Sequence, residues 1–243
     1  MTDSASATVP AEAAPKGLVS RIFGVVFSPR ATYTAVAARP RWFGVLAVCA
    51  LLVAGGYFVL LSTEVGKQAA FDQQTQVIES FGVKLNDQQL QGMEAGIERA
   101  RYMTPVGQLI GIPIVLAVFS GILLGIFNAL LGGDATYKQV FAIMAHSGVI
   151  TALQQVFTIP LDYVRETLSS PTSLSVFFPF IPDASFLGRL LSAIDLFQIW
   201  GFLSVAIGLG VLYKRRTAPI AISLFAVYFV IVAAIAAVRS ALS

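Results

Sequence analysis

The chain has 243 residues, of which 56% are hydrophobic and only 12% charged, with a formal net charge of +3. Soluble domains carry about 25% charged residues, and a chain this apolar would expose large patches and aggregate in water. A water-soluble fold is thereby excluded, and the single cysteine, Cys49, excludes an internal disulfide or a C-x-x-C site.

Residues 1–16 are small and polar and lack the apolar core of a signal peptide. They predict a disordered cytoplasmic tail. Residues 17–41 predict a cytoplasmic juxtamembrane amphipathic segment. Leu18, Val19, Ile22, Val25 and Val26 recur near helical spacing, with Arg21 opposite. So short a stretch cannot span a bilayer but suits its interface. Pro29 ends it, and a second short segment, 30–38, stops at Pro40. The segment reads as an anchor that orients the first span, with a partner-docking arm as the alternative.

Residues 42–243 predict an all-α, polytopic membrane helix bundle with five transmembrane helices. The runs 42–63, 102–133, 139–161 and 217–238 contain no Asp, Glu, Lys or Arg. The run 190–213 contains one, Asp195. A hydrocarbon core about 30 Å thick needs about 20 apolar helical residues. Lipid demands that backbone groups pair within a segment, and the runs lack the alternation of barrel strands.

The loop 64–104 predicts a helical hairpin on the outer surface. Gly82 ends its first arm, and Asn86 with Gln89 forms a capping-box pattern ahead of Leu90, Met93 and Ile97. Glu79, Asp87, Glu94 and Glu98 form its solvated face. In the run 102–133, Pro105 is placed to start the helix and Pro113 to kink it. Gly107 and Gly111, then Gly121 and Gly125, stand four apart, a spacing expected to pack helices closely within the bundle, with self-association as the alternative. The loop 162–188 is rich in proline and phenylalanine and predicts a segment lying in the outer interface.

Lysine and arginine flank lipid on one side in excess. Lys16, Arg21, Arg30, Arg39 and Arg41 precede the first span, and Lys214, Arg215 and Arg216 lie between the fourth and fifth. The layout is N-in and C-out. These bases do not form the aromatic-laced patch of a nucleic-acid binder, so no nucleic-acid partner is expected.

An ionised carboxylate inside a membrane asks for partners. His146 is the only histidine, but its depth in the third span differs from that of Asp195 by about 11 Å at 1.5 Å per residue. Gln154, Gln155 and Thr158 are level with Asp195, whereas His146 is closer in depth to Asn128, Ser204 and Gly208. His146, Ser147, Thr151, Gln154, Gln155 and Thr158 form a polar stripe along the third span. With Asp195 they are the candidate intramembrane polar cluster. The stripe reads as an inward face holding the bundle, with a water-filled path as the alternative. No nucleophile motif, phosphate loop or metal-ligand spacing is present, so no cofactor is expected.

Together, Phe27-Ser28-Pro29, Pro40-Arg41-Trp42, the stretch 85–103 leading into Thr104-Pro105, Ala145-His146-Ser147, and Asp195-Leu196-Phe197-Gln198-Ile199-Trp200 with Ala206-Ile207-Gly208 resemble a bacterial member of the Yip family (Ypt/Rab-interacting protein, Yip domain). Pro29, Pro40, Trp42, Asp195 and Trp200 are the family-motif positions. The resemblance implies a cytoplasmic N-terminus and an integral membrane location, and brings no established enzymatic activity; a bacterial inner-membrane location is expected. Eukaryotic relatives bind small GTPases through a cytoplasmic N-terminal part, a property not carried over to the short arm here. The expected function is an interaction or membrane-organising protein whose partners are the lipid bilayer, other membrane proteins or a second copy. A small-solute or ion conduit along the third span is the alternative, and an intramembrane enzyme the third choice.

Overall fold

The computed structural model describes residues 17–242. The tail predicted for residues 1–16 lies outside them. The architecture is an all-α membrane bundle, and no strand forms among the described residues. The N-terminal arm is α1 (Leu18–Phe27) followed by α2 (Pro29–Ala38), with Pro29 at the first helical position, where its missing N–H costs nothing. Then come α3 (Phe43–Leu61), α4 (Glu64–Glu79), α5 (Asp87–Leu131) and α6 (Tyr137–Arg165). A 3-10 turn (Leu174–Phe177), α7 (Phe186–Ala193), α8 (Leu196–Leu212) and α9 (Thr217–Leu242) complete the chain.

Four of these helices, α3, α5, α6 and α9, are long and apolar enough to cross a membrane. The 17 residues of α8 reach only about 26 Å at 1.5 Å per residue, less than a core about 30 Å thick. Trp42 meets Phe141 edge to face, with centroids 5.0 Å apart, where α3 and α6 begin. Toward their other ends Gly56 lies against Ile159. The two helices therefore run side by side in the same direction. The end carrying α1 and α2 is called the near end, and the opposite one the far end.

α6 is the hub. Over its apolar window 56% is enclosed by protein, against 11% for α5 and 22% for α9, so those two helices present most of their surface to lipid. Cys49 packs in the core of α3 with Val25, Val45, Val149, Ile150 and Ala152. Leu123, Phe127, Val140, Val205, Leu209 and Ile220 form a second core that ties α5 and α6 to α8 and α9.

Four sequence expectations are corrected here. The run 190–213 is not one helix: α7 ends at Ala193, and α8 starts only after Asp195. α5 is continuous for 45 residues, so the second arm of the hairpin passes through Pro105 and Pro113 into the span without a new start. Its capping box at Asn86 and Gln89 is formed as the sequence predicts. Gly107, Gly111 and Gly125 have nothing within 4 Å of an added Cβ, so they do not bring helices of this bundle together. Arg21 does not point away from the packed face of α1; it reaches His146 on α6.

Close approach falls instead on other glycines. A Cβ at Gly208 in α8 would stand 2.4 Å from Ile143 and 3.2 Å from Tyr33. Gly208→Ala is expected to destabilise by about 1–3 kcal/mol through overpacking. Gly107→Ala is expected to leave stability unchanged or raise it by up to about 1 kcal/mol, the helix-interior gain over glycine. Thermal unfolding of both variants in one detergent checks the contrast.

Candidate functional site

The polar residues of the third span divide into two clusters, one toward each end of the bundle. The near-end cluster is organised by α2. Thr32, Tyr33 and Val36 of that short helix are fully enclosed. The Tyr33 hydroxyl bonds Ser147 of α6 at 2.8 Å and Ser204 of α8 at 2.6 Å. Ser147 also donates to the Ile143 carbonyl at 3.0 Å. Burial pushes the pKa of Tyr33 up to about 12, offset only in part by the two serines.

His146 lies beside this network with no exposure. Its Nδ1 is 2.7 Å from the Ala142 carbonyl, so Nδ1 carries the proton and Nε2 accepts. The group facing Nε2 is Arg21 Nη1, at 3.4 Å. The same Nη1 donates to the Arg41 carbonyl at 2.5 Å. Burial first, and then the charge of Arg41, hold the pKa of Arg21 below the usual arginine value. Gln139 donates to the Ala37 carbonyl at 3.0 Å and fastens the end of α2 to the start of α6.

The far-end cluster converges on Asp195, which is 8% exposed. Its Oδ1 accepts from Gln154 Nε2 at 3.1 Å and from the backbone amides of Phe197 at 2.8 Å and Gln198 at 3.2 Å. Its Oδ2 accepts from Ser170 at 2.5 Å and Thr172 at 2.6 Å. Asp195 is thus the N-cap of α8 and a clamp on the preceding loop. That loop pairs with it through a single bridge between Ser173 and Asp195, with Leu174 N to Ile194 O at 2.8 Å and Leu196 N to Thr172 O at 3.1 Å. Tyr228 of α9 donates to the Ala193 carbonyl beside it.

The structure thus brings Gln154 to Asp195, and Ser147 to Tyr33. It does not join His146 to Asp195. Thr158 is buried, but Thr151 is exposed, so the stripe is not one continuous enclosed face. Gln155 faces Tyr57 of α3 instead of Asp195. Between the clusters, Val149, Ile150 and Ala152 are buried with Val25, Val45 and Cys49. Pro40 lies in the short link between α2 and α3, and Trp42 packs on Leu46, Phe141 and Ala145. Trp200 stacks on Phe197 with centroids 6.0 Å apart and backs the apolar layer. The sequence reading missed Tyr33, Ser170, Thr172 and Asp162. Tyr33, Ser170 and Thr172 sit in short or loop-bound stretches where period carries no signal; Asp162, 9% exposed, lies in the last turn of α6, just past the uncharged run that ends at 161. No group of three or more His, Cys, Asp or Glu able to hold a metal occurs among the described residues.

Asp195→Asn is expected to be tolerated. Its amide oxygen still caps α8, and the hydroxyls of Ser170 and Thr172 can turn to accept from its nitrogen. Asp195→Leu is expected to cost at least about 1–2 kcal/mol for the cap alone, with further loss from the donors left unmatched. Melting temperatures in detergent check the order.

Tyr33→Phe is expected to cost about 1–2 kcal/mol at neutral pH. With its pKa near 12 in the folded protein and 10.0 as the ordinary value, Tyr33 keeps its proton in the fold after the unfolded chain has lost it. Stability from this group is complete below about pH 10 and falls as pH rises toward 12. Unfolding measured from pH 8 to 11.5 should show a shallower alkaline loss in Tyr33→Phe than in wild type.

A family model described as Yip1 domain matches residues 23–237. Among curated proteins, the membrane protein YknW of Bacillus subtilis (strain 168) is 26% identical over 195 residues, covering 77% of this chain and 76% of that protein. No solved structure matches.

Proposed function

This chain belongs to the Yip1 domain family, and on that premise we propose that it is an interaction or membrane-organising protein without catalytic chemistry. We place it in a cell membrane with the near end in the cytoplasm and five crossings, α8 being the short one. The observation that carries this reading is the apolar layer inside the bundle. Val25, Val45, Cys49, Val149, Ile150 and Ala152 separate Ser147 and His146 from Gln154 and Asp195. Tyr33, Ser147 and Ser204 at one end, and Gln154 and Asp195 at the other, close on partners within the fold. Satisfied, separated polar groups support a framework role, because a conduit needs a polar or hydrated path between them. The basic near end supports the orientation, since cytoplasmic loops carry the excess of lysine and arginine.

Partners follow from the same picture. The bilayer surrounds α5 and α9, and other membrane proteins or a second copy can pack there. The small-GTPase partnership of eukaryotic relatives is not assigned to this chain. Two measurements test the role together: flux from liposomes loaded with pH- and ion-sensitive dyes, and crosslinking in native membranes with mass spectrometry of captured proteins. No protein-dependent flux and a reproducible set of crosslinked membrane proteins are expected. Robust flux, abolished in His146→Phe/Gln154→Leu while that variant stays folded, would overturn the reading in favour of transport.

A further inference from the structure

The chain covers the seam between α3 and α6 over one half only. In the near half α1 lies across it: Leu18 abuts Gly44, and Val25 is buried with Val45, Cys49, Val149 and Ala152. Beyond these residues the seam opens into a groove of about 330 Å³, walled by Leu51, Leu52 and Val59 of α3 and by Val156 and Ile159 of α6. Gly55 leaves it open, with nothing within 4 Å of a Cβ added there. Leu51, Leu52, Val59 and Val156 are 62%, 48%, 63% and 58% exposed, so the groove faces the hydrocarbon of the bilayer. An empty slot between packed helices forfeits the dispersion contacts of its walls, so it fills from what surrounds it.

A polar group stands at the far rim of this slot. Tyr163 lies four residues beyond Ile159 and seven beyond Val156, so all three share one face of α6. Gly56 abuts Ile159, and α3 and α6 run in the same direction. Tyr163 is therefore level with Leu60, one residue before the end of α3 at Leu61. That is the depth of the membrane–water boundary, where tyrosine is favoured. Tyr163 is 48% exposed, and its hydroxyl has no hydrogen-bond partner among the described residues. Gln155, the polar residue of the groove lining, is engaged by Tyr57.

We propose that the groove holds one acyl chain of a glycerophospholipid from the far leaflet, whose phosphate accepts a hydrogen bond from Tyr163. An acyl chain suits walls that are apolar and open sideways to lipid. The head must bring an acceptor, because the tyrosine hydroxyl has none in the fold. Phosphate is the strong one, since hydrogen bonds to charged oxygens exceed those to neutral groups. A helix of a second copy would instead close an apolar surface over Tyr163 and leave its hydroxyl unmatched.

The full chain, reconstituted in phosphatidylcholine mixed with diacylglycerol of the same chains, tests the site. After extraction into detergent removes the exchangeable shell, retained lipid is counted by native mass spectrometry, beside thermal unfolding of the same samples. Wild type is expected to retain one phosphatidylcholine per chain in preference to diacylglycerol. Gly55→Leu should fold as wild type does and retain neither lipid, its side chain filling the slot. Tyr163→Phe should keep the slot but lower phosphatidylcholine retention about tenfold, the factor for one hydrogen bond to a charged group, and leave diacylglycerol retention unchanged. Equal retention by wild type and Gly55→Leu would overturn the proposal, as would a Tyr163→Phe variant that still prefers phosphatidylcholine. So would a disulfide between two copies of Leu52→Cys that forms to the same extent with lipid present or removed.

Discussion

The far half of this bundle depends on one carboxylate. The leading amides of a helix have no partners within the helix itself, and those of α8 lie in the packed far end of the bundle. Asp195 supplies them, capping Phe197 and Gln198 with one oxygen while the other gathers Ser170 and Thr172 from the preceding loop. Gln154 then binds the same carboxylate to α6. One side chain therefore decides where α8 begins, where the preceding loop is fastened, and how both sit against the central helix. Five donors from three segments of chain replace the counter-cation that a buried carboxylate otherwise needs.

The near half is built on the opposite plan, with a neutral hydroxyl in place of a charge. Tyr33 reaches from the N-terminal arm into the gap between α6 and α8, and its ring occupies the space left by Gly208. An amphipathic arm resting only on the lipid interface would leave that gap as a cavity. Seating α2 there makes the arm part of the bundle's core, and α1 follows it, covering His146 with Arg21. Val19, Phe23 and Phe27 of α1 remain 65%, 60% and 79% exposed at four-residue spacing. The arm thus packs on protein with one side and leaves an apolar row exposed on the other.

How much of this was legible in sequence follows from which signals survive without neighbours. Uncharged length identifies α3, α6 and α9, and the capping pair Asn86 and Gln89 marks the start of α5, because both signals are local. Depth counting brought Gln154 to Asp195, because helical rise is fixed. The same counting placed Asp195 inside a helix, since hydropathy averages over a run and does not register a break of one residue. Tyr33 carried no signal at all: in a ten-residue segment of mostly small residues, only the fold shows that this tyrosine is enclosed. The glycine pairs of α5 misled for a related reason. Spacing shows that helices can approach there, but which neighbour arrives is a property of the whole bundle.

Polar groups within a membrane protein sort by whether the fold satisfies them. Ser147, Ser204, Gln154 and Asp195 end on partners inside the chain, so their contribution is exhausted in holding the bundle. The Nε of Arg21, the Oγ1 of Thr32 and the Oδ1 of Asp162 do not. Thr32 lies so close to Gly24 that its hydroxyl would stand 2.2 Å from an added Cβ, so it is orphaned by the tight contact of α1 and α2. Arg21 is partly engaged by a carbonyl and a histidine. Asp162 keeps one enclosed oxygen in the last turn of α6, near Tyr57 of α3. The unmatched atoms of these three residues thus lie in the N-terminal arm or at the end of α6, whereas Ser147, Ser204, Gln154 and Asp195, which hold α6 to α8, are all bonded.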